Sequence, residues 1–192
     1  MILFDLPVYQ FIISTFWPTT LLTTIMKLIT SLGSALFIIT GILCVAILIK
    51  DKKYFKIFLI ANLIGVILNN IIKLIIKRPR PTQTILLASE TSYSFPSGHS
   101  MSSLIFYGLL IYYICKFIKN KKIKTLLVAL LSAIIFFIGI SRIYLGVHYA
   151  TDVIGGYLIG LIYLVVFLKI TNKKLNSQKK TEGNWQFQSI FL

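Results

Sequence analysis

Negative charge is what this chain has least of: 5 Asp and Glu stand against 20 Lys and Arg in 192 residues, a formal net charge of +15. So basic a chain would ordinarily point to nucleic acid, but only 13% of its residues are charged and 57% are hydrophobic, with a mean hydropathy of +0.86. A soluble basic domain cannot hide that much apolar surface and a disordered chain would not carry it, so a nucleic-acid-binding module and disorder are both excluded. Cysteine is as scarce. Cys44 and Cys115 each sit inside a long apolar run, with no CxxC or Cys/His cluster, so a disulfide scaffold is excluded and both are expected to be small buried hydrophobes. The two histidines, His99 and His148, leave imidazole chemistry few places to go. No positive charge precedes the first apolar stretch, which argues against a cleavable signal peptide.

Apolar length is abundant. Residues 28–49 run without a charge between Lys27 and Lys50, enough to cross ~30 Å of hydrocarbon. Shorter charge-free cores follow at 57–72, 100–115, 125–141 and 153–168. Each reaches a spanning length of about 20 residues by taking in a polar group at its end: Lys73, Ser97 to His99, Arg142, or His148 to Asp152. In residues 1–26, Asp5, Pro7, Gln10 and Pro18 interrupt an otherwise apolar stretch, as in an amphipathic helix lying in the interface. The expected fold is therefore all-α: an integral membrane helical bundle of about five transmembrane helices plus an N-terminal interfacial helix. Its expected organisation is an interfacial segment at 1–26, one membrane-embedded domain at 27–170 and a polar cytoplasmic tail at 171–192. The aromatic end of that tail, Trp185, Phe187 and Phe191, is assigned no function.

Basic residues in short loops are retained on the cytoplasmic side. Three clusters qualify: Lys50, Lys52, Lys53 and Lys56; Lys116, Lys119, Lys121, Lys122 and Lys124; and Lys169, Lys173, Lys174, Lys179 and Lys180. Alternating spans place all three on one side, so Lys73, Ser97 to His99, Arg142, His148 and Asp152 gather at the outer surface of a cell membrane. Taken singly, each has an ordinary structural reading. Lys73 can snorkel, Lys77-Arg78-Pro79-Arg80-Pro81 can be a basic helix-stopping loop, and Ser97 can be a helix N-cap. His148 and Asp152, four residues apart, share a helix face as often for structure as for catalysis.

Together they are harder to dismiss. Ionisable groups at membrane depth cost ~2.5 kcal/mol or more at a helix centre, and a chain with 5 acids has little reason to place Asp152 there for packing. The chemistry they fit is phosphoryl transfer. Arg80 and Arg142 can offer bidentate forks to phosphate oxygens, Lys73 a point charge, and the helix beginning near Ser97 a hydroxyl and free N–H groups, with Gly98 allowing close approach. Such a cradle works without a metal or other cofactor. Asp152 can hold the Nδ1 proton of His148, leaving Nε2 free to attack phosphorus, and His99 can protonate the leaving group and later deprotonate water.

These residues form three motifs in order: KxxxxxxRP as Lys73 with Arg80-Pro81, PSGH as Pro96-Ser97-Gly98-His99, and SRxxxxxHxxxD as Ser141-Arg142 with His148 and Asp152. The set resembles the type 2 phosphatidic acid phosphatase superfamily of membrane lipid phosphatases, which shares its signature with bacterial acid phosphatases and vanadium haloperoxidases. The resemblance covers Lys73 to Asp152 and implies a metal-independent phosphatase with a phosphohistidine at His148, His99 as acid/base and Asp152 supporting the nucleophile. It implies phosphate binding by Lys73, Arg80, Ser97, Gly98 and Arg142. Ser141 belongs to the motif and is given a structural helix-end role. Membrane members usually have six spans, so this chain reads either as short by its first span or as more deeply embedded over residues 1–26.

The leading expectation is thus a membrane phosphatase acting on a lipid phosphate or diphosphate at the outer leaflet. Undecaprenyl diphosphate and phosphatidylglycerophosphate come first and phosphatidic acid next. Its partners are the lipid substrate and the bilayer, not nucleic acid, and nothing in the sequence speaks to oligomeric state. The alternatives are a non-catalytic anion or lipid-phosphate transport protein using the same cationic pocket, and a haloperoxidase, against which the membrane spans argue.

Overall fold

The computed structural model describes residues 2–48, 51–82 and 84–189, with side chains at 3–47, 51–82 and 84–177. Among the expected basic and aromatic groups, Lys50 and Phe191 and the side chains of Lys179, Lys180, Trp185 and Phe187 therefore lie outside the description. The described chain forms helices α1 (Ile2–Thr15), α2 (Thr20–Ser31), α3 (Ala35–Leu48), α4 (Lys52–Ile76), α5 (Gly98–Phe117), α6 (Lys121–Tyr144) and α7 (Ala150–Ser189).

Local chemistry sets the ends of these helices. The Asp51 carboxylate accepts the amide of Lys53 at 2.9 Å to open α4, and the Asn120 side chain accepts that of Ile123 at 3.2 Å to open α6. Helix α4 closes on Lys77 in the left-handed region, φ 49°, and Pro79 just beyond bars its continuation. Ser97 caps α5, its hydroxyl accepting from the Ser100 hydroxyl at 2.9 Å and from the Ser100 amide at 3.4 Å. At α7 the Asp152 carboxylate reaches back to the Tyr149 amide at 2.9 Å, the acidic half of a capping box.

Helices α4, α5, α6 and α7 are each long and apolar enough to span a bilayer. Helices α2 and α3 pass that test together, so the spans number 4, or 5 when this pair is taken as one. The uninterrupted apolar run at 28–49 is not one straight helix: α2 and α3 meet at 48° across Leu32, Gly33 and Ser34. Gly33 packs against Ile138 and the His99 ring, and the Ser34 hydroxyl accepts the Phe37 amide at 3.3 Å to restart the helix. The Tyr107 hydroxyl donates to the Leu32 carbonyl at 2.9 Å, so a carbonyl at the break is paired as a low-dielectric setting requires. Residues 1–26 likewise hold α1, a break at 16–19 and the start of α2 rather than one helix. Cys44 and Cys115 are exposed on apolar helix surfaces, not buried as expected.

Helix α5 is central, packed on α4, α6 and α7, with α2 against α6 and α1 against α6 and α7. Phe58, Ala61, Met101, Ile105, Phe106, Leu109 and Ile138 are buried at its centre. A second cluster joins Tyr9, Ile12 and Ile13 of α1 to Tyr144, Leu145, Val147 and Val153 around the α6–α7 turn. The outward surface stays apolar, with Leu36, Leu63, Leu74, Leu126, Phe136 and Leu161 all exposed, as lipid-facing side chains are. Small residues allow close helix approach, as lipid gives no hydrophobic drive for association. A Cβ on Gly156 of α7 would lie 2.8 Å from the Ser97 carbonyl oxygen and 3.2 Å from Ser100 Cβ.

That approach is rigid on both sides because the contacts are backbone and Cβ atoms. The Gly156→Val protein is expected to lose about 1–3 kcal/mol of stability. This is read as a lowered thermal unfolding midpoint in detergent; an unchanged midpoint would show that the α5–α7 crossing has slack.

Candidate active site

The candidate site residues lie at the same end of the bundle, and all but Arg80 stand at or beside a helix terminus. Lys73 ends α4, Gly98 and His99 begin α5 behind the Ser97 cap, Arg142 ends α6, His148 lies in the turn before α7, and Asp152 stands in the first turn of α7. Arg80 comes from the segment joining α4 to α5. Backbone and side-chain bonds pin this segment: Ser94 amide to Arg78 carbonyl at 2.8 Å, Leu87 amide to Leu145 carbonyl at 3.1 Å, and Ile85 amide to the Tyr9 hydroxyl at 2.7 Å. Gly146, at φ +74°, turns the chain between α6 and α7 where the Ile85 carbonyl approaches too closely for a Cβ.

At the centre of the site stands the fully buried Asp152. Its Oδ1 pairs with Arg78, and its Oδ2 accepts from the Ser94 hydroxyl and from the Tyr149 amide at 2.9 Å; His148 Nδ1 lies 3.5 Å from Oδ2 and 3.5 Å from the Ser94 hydroxyl oxygen. The other ring nitrogen, Nε2, lies 3.3 Å from Arg80 Nη1. A guanidinium can only donate, so Nε2 is the acceptor and the neutral ring carries its proton on Nδ1, toward Asp152. Arg80 is held in turn by the Val147 carbonyl at 2.7 Å and the Ser92 carbonyl at 2.7 Å.

Arg142 is buried, donates to Thr30 Oγ1 at 3.0 Å and pairs with Glu90, which also lies 3.9 Å from Arg80. The Glu90 carboxylate thus occupies guanidinium donors that an anionic ligand would use. Burial alone would push the Glu90 carboxyl up, but Arg142, Arg80 and His99 together hold it below the usual range. The Arg142 Nε–H is buried without a hydrogen-bond partner, a deficit an anion would relieve. Lys73 donates to the Tyr93 carbonyl. Among the described residues no three of His, Cys, Asp and Glu are grouped to hold a metal.

Three participants escaped the sequence reading. Ser94 and Glu90 sit in an irregular segment with no periodicity to mark them, and Arg78 read as part of a helix-stopping loop. Two further acids, Asp5 and Glu90, join Asp152 at this end.

Two cavities meet here. One, of about 770 Å³, is lined by Lys73, Arg78, Arg80, Glu90, Ser92 and Tyr93. The other, of about 470 Å³, runs from Lys73, Ser92, Gly98 and His99 down between α3, α4 and α5 to Ile38, Ile42, Leu59 and Ile105. They share Asn70, Lys73 and Ser92, so a charged chamber opens onto an apolar groove.

Cationic side chains and the His99 imidazole at the head of an apolar groove, with His148 beside Arg80 and lining a third cavity with Asp5, Tyr9 and Tyr149, fit a membrane-embedded phosphatase of amphiphiles. Known proteins agree with that class. Residues 54–176 match the PAP2 superfamily, and the chain belongs to that superfamily of lipid phosphatases. Phosphatidylglycerophosphatase B of Bacillus subtilis is 35% identical over 148 residues, which are 73% of this chain and 71% of that protein. Undecaprenyl-diphosphatase BcrC of Bacillus subtilis is 30% identical over 129 residues, 64% of this chain and 61% of its own length. In three dimensions the chain is similar to the crystal structure of a transmembrane PAP2 type phosphatidylglycerolphosphate phosphatase from Bacillus subtilis. The TM-score is 0.79 at 29% identity, covering 88% of this chain and 85% of that one.

Burial, reinforced by Arg142 and Arg80 and opposed by Asp152, pushes the His148 imidazole down to about 4 from its ordinary 6.5. Because the folded value lies below the unfolded one, the unfolded chain takes up this proton first as pH falls. His148 then costs stability between 6.5 and about 4. In ¹⁵N-labelled protein the His148 ring is expected to stay neutral, protonated on Nδ1, until pH approaches about 4; a midpoint at or above 6.5 would contradict the buried arrangement.

Proposed function

We propose that this protein hydrolyses a lipid phosphate or diphosphate at the outer leaflet of the cell membrane through a phosphohistidine on His148. The observation that carries this reading is the union of a cationic chamber with an apolar groove at Lys73, Asn70 and Ser92. A headgroup can enter the first while its acyl or prenyl chain stays in the second. The three basic clusters at the opposite helix ends support an extracytoplasmic site.

In this mechanism the phosphate displaces the Glu90 carboxylate from Arg142 and Arg80 and takes further contacts from Lys73, Ser97 and the amides at Gly98. Arg142 Nε gains its missing acceptor. His148 Nε2 attacks phosphorus, and the phosphorus–oxygen bond to the leaving group breaks. The electron pair goes to that oxygen, which takes a proton from His99. Asp152 stabilises the cationic phosphohistidine through Nδ1–H. Water then loses a proton to His99 and attacks phosphorus, the P–N bond breaks, and inorganic phosphate leaves. With a diphosphate, attack at the terminal phosphorus releases the lipid monophosphate instead of an alcohol. The cations and the helix terminus carry the charge stabilisation, so the cycle needs no metal ion or other cofactor.

The similarity to phosphatidylglycerophosphatase B and to undecaprenyl-diphosphatase BcrC supports phosphatidylglycerophosphate and undecaprenyl diphosphate as the substrates to try first. Both lipids and phosphatidic acid should be offered in mixed micelles and phosphate release measured. The His148→Ala protein is expected to lose at least about 10³-fold in rate, since the covalent path is gone. EDTA should leave the wild-type rate intact, and vanadate should inhibit by adopting the five-coordinate geometry of the transition state. Undiminished turnover by His148→Ala would sink the nucleophile assignment, and strict magnesium dependence would contradict the cationic cradle.

A further inference from the structure

Outside the reacting groups, the chain holds a buried ion-pair cluster in which α1 meets the start of α7. Asp5 is 2% exposed and Arg78 9% exposed at the side chain, and they pair at 2.9 Å. Arg78 borders the charged chamber with Lys73 and Arg80, yet its guanidinium is committed to two carboxylates, Asp5 and Asp152. Its guanidinium lies over the Tyr149 ring at 3.9 Å and donates to Thr151 Oγ1 at 2.8 Å and to Asp152 Oδ1. Asp5 accepts the Thr151 amide at 2.8 Å and the Thr151 hydroxyl at 2.9 Å, so it also serves an N-terminal amide of α7 from another helix.

Resting on the phosphohistidine reading, we infer that Arg78 and Asp5 are positioning residues: Arg78, shared between two carboxylates, holds Asp152 and sets how strongly it supports His148, and Asp5 limits that effect. Three geometric facts lead here. Asp152 Oδ1 is committed to Arg78, which leaves Oδ2 to the Ser94 hydroxyl, the Tyr149 amide and His148 Nδ1. The guanidinium fork is fixed on a second side by Asp5 and stacked on Tyr149, so it cannot swing away. Asp5 lies on α1, whose Tyr9, Ile12 and Ile13 pack under the same turn, so the N-terminal helix carries part of the catalytic support.

The charge arithmetic assigns opposite signs to the two residues. The charged and titratable groups facing His148 are Arg80 from the α4–α5 segment, His99 from α5, Arg142 from α6 and Asp152 from α7. Those facing Asp152 are Arg78, Lys73, Arg80 and His148. Removing the Arg78 charge leaves Asp152 unshared and favours the His148 cation. Removing the Asp5 charge leaves Arg78 wholly on Asp152 and disfavours it.

The test uses full-length Arg78→Gln, Arg78→Lys, Asp5→Asn and His148→Ala proteins in detergent, with ¹⁵N titration of His148 and pH profiles of kcat/KM on a lipid phosphate. Arg78→Gln is expected to raise the His148 midpoint and the acid limb by about half a unit to one unit, and Asp5→Asn to lower them by a similar amount. Arg78→Lys should return the midpoint toward wild type. Ionisation of the substrate is common to all variants and cancels in the comparison. Shifts of the same sign, or none, would overturn the inference even if every rate fell, because mere structural damage has no reason to move the two variants apart. If Arg78→Gln does not fold, Asp5→Asn and Arg78→Lys decide alone. A fully active His148→Ala protein would overturn the phosphohistidine reading instead, and the ¹⁵N titration would still judge the roles of Arg78 and Asp5.

Discussion

The site depends on one buried carboxylate. Asp152 has no exposure, and a carboxylate taken out of water carries a desolvation penalty of several kcal/mol unless every lone pair is met. It is met by Arg78, Ser94, Tyr149 N–H and His148. Asp152 stands on α7, its partners come from the α4–α5 segment and from the turn before α7, and Arg78 draws in α1 through Asp5. One charge therefore organises four stretches of chain. The carboxylate that caps α7 also lies 3.5 Å from the His148 ring, so helix start and site geometry cannot vary independently.

The excess of basic residues resolves into two populations with different physics. In the clusters away from the site, Lys52, Lys56, Lys116, Lys119, Lys121 and Lys122 are exposed. Lys73, Arg78, Arg80 and Arg142 are partly or wholly buried, and each is committed to a carbonyl, hydroxyl or carboxylate. Of the 5 acids, Asp5, Glu90 and Asp152 are drawn to this cationic end. They differ in accessibility: Asp5 and Asp152 are sealed, whereas Glu90 is 29% exposed at its side chain.

The bilayer explains the rest of the architecture. A surface of exposed leucine, isoleucine and phenylalanine is intolerable in water and ordinary in lipid, and it lets the same helices open a groove between α3, α4 and α5. The break at Leu32 to Ser34 matters to that groove, because Gly33 and Ala35 line it beside His99. A straight helix through 28–49 would place different side chains there.

Much of this was legible along the chain. The spans could be read because crossing hydrocarbon demands long apolar runs, and the polar groups gathered at one end because Lys73, Ser97, His99, Arg142, His148 and Asp152 stand at or beside helix ends. Both signals are local. The α2–α3 bend was hidden because Leu-Gly-Ser is tolerated inside a helix until a neighbour such as His99 occupies the space beside glycine. The pairing of charges was hidden too: Arg78 and Asp5 lie 73 residues apart, as do Arg78 and Thr151, and Thr151 and Asp5 lie 146 apart. Composition and spacing by themselves determined the membrane setting and which polar residues gather at one end of the bundle, since these follow from solvent and from helix period. Only the tertiary structure decided which acid each cation meets, Arg78 on Asp5 and Asp152 and Arg142 on Glu90, because a buried charge takes the partner that packing brings within hydrogen-bond reach.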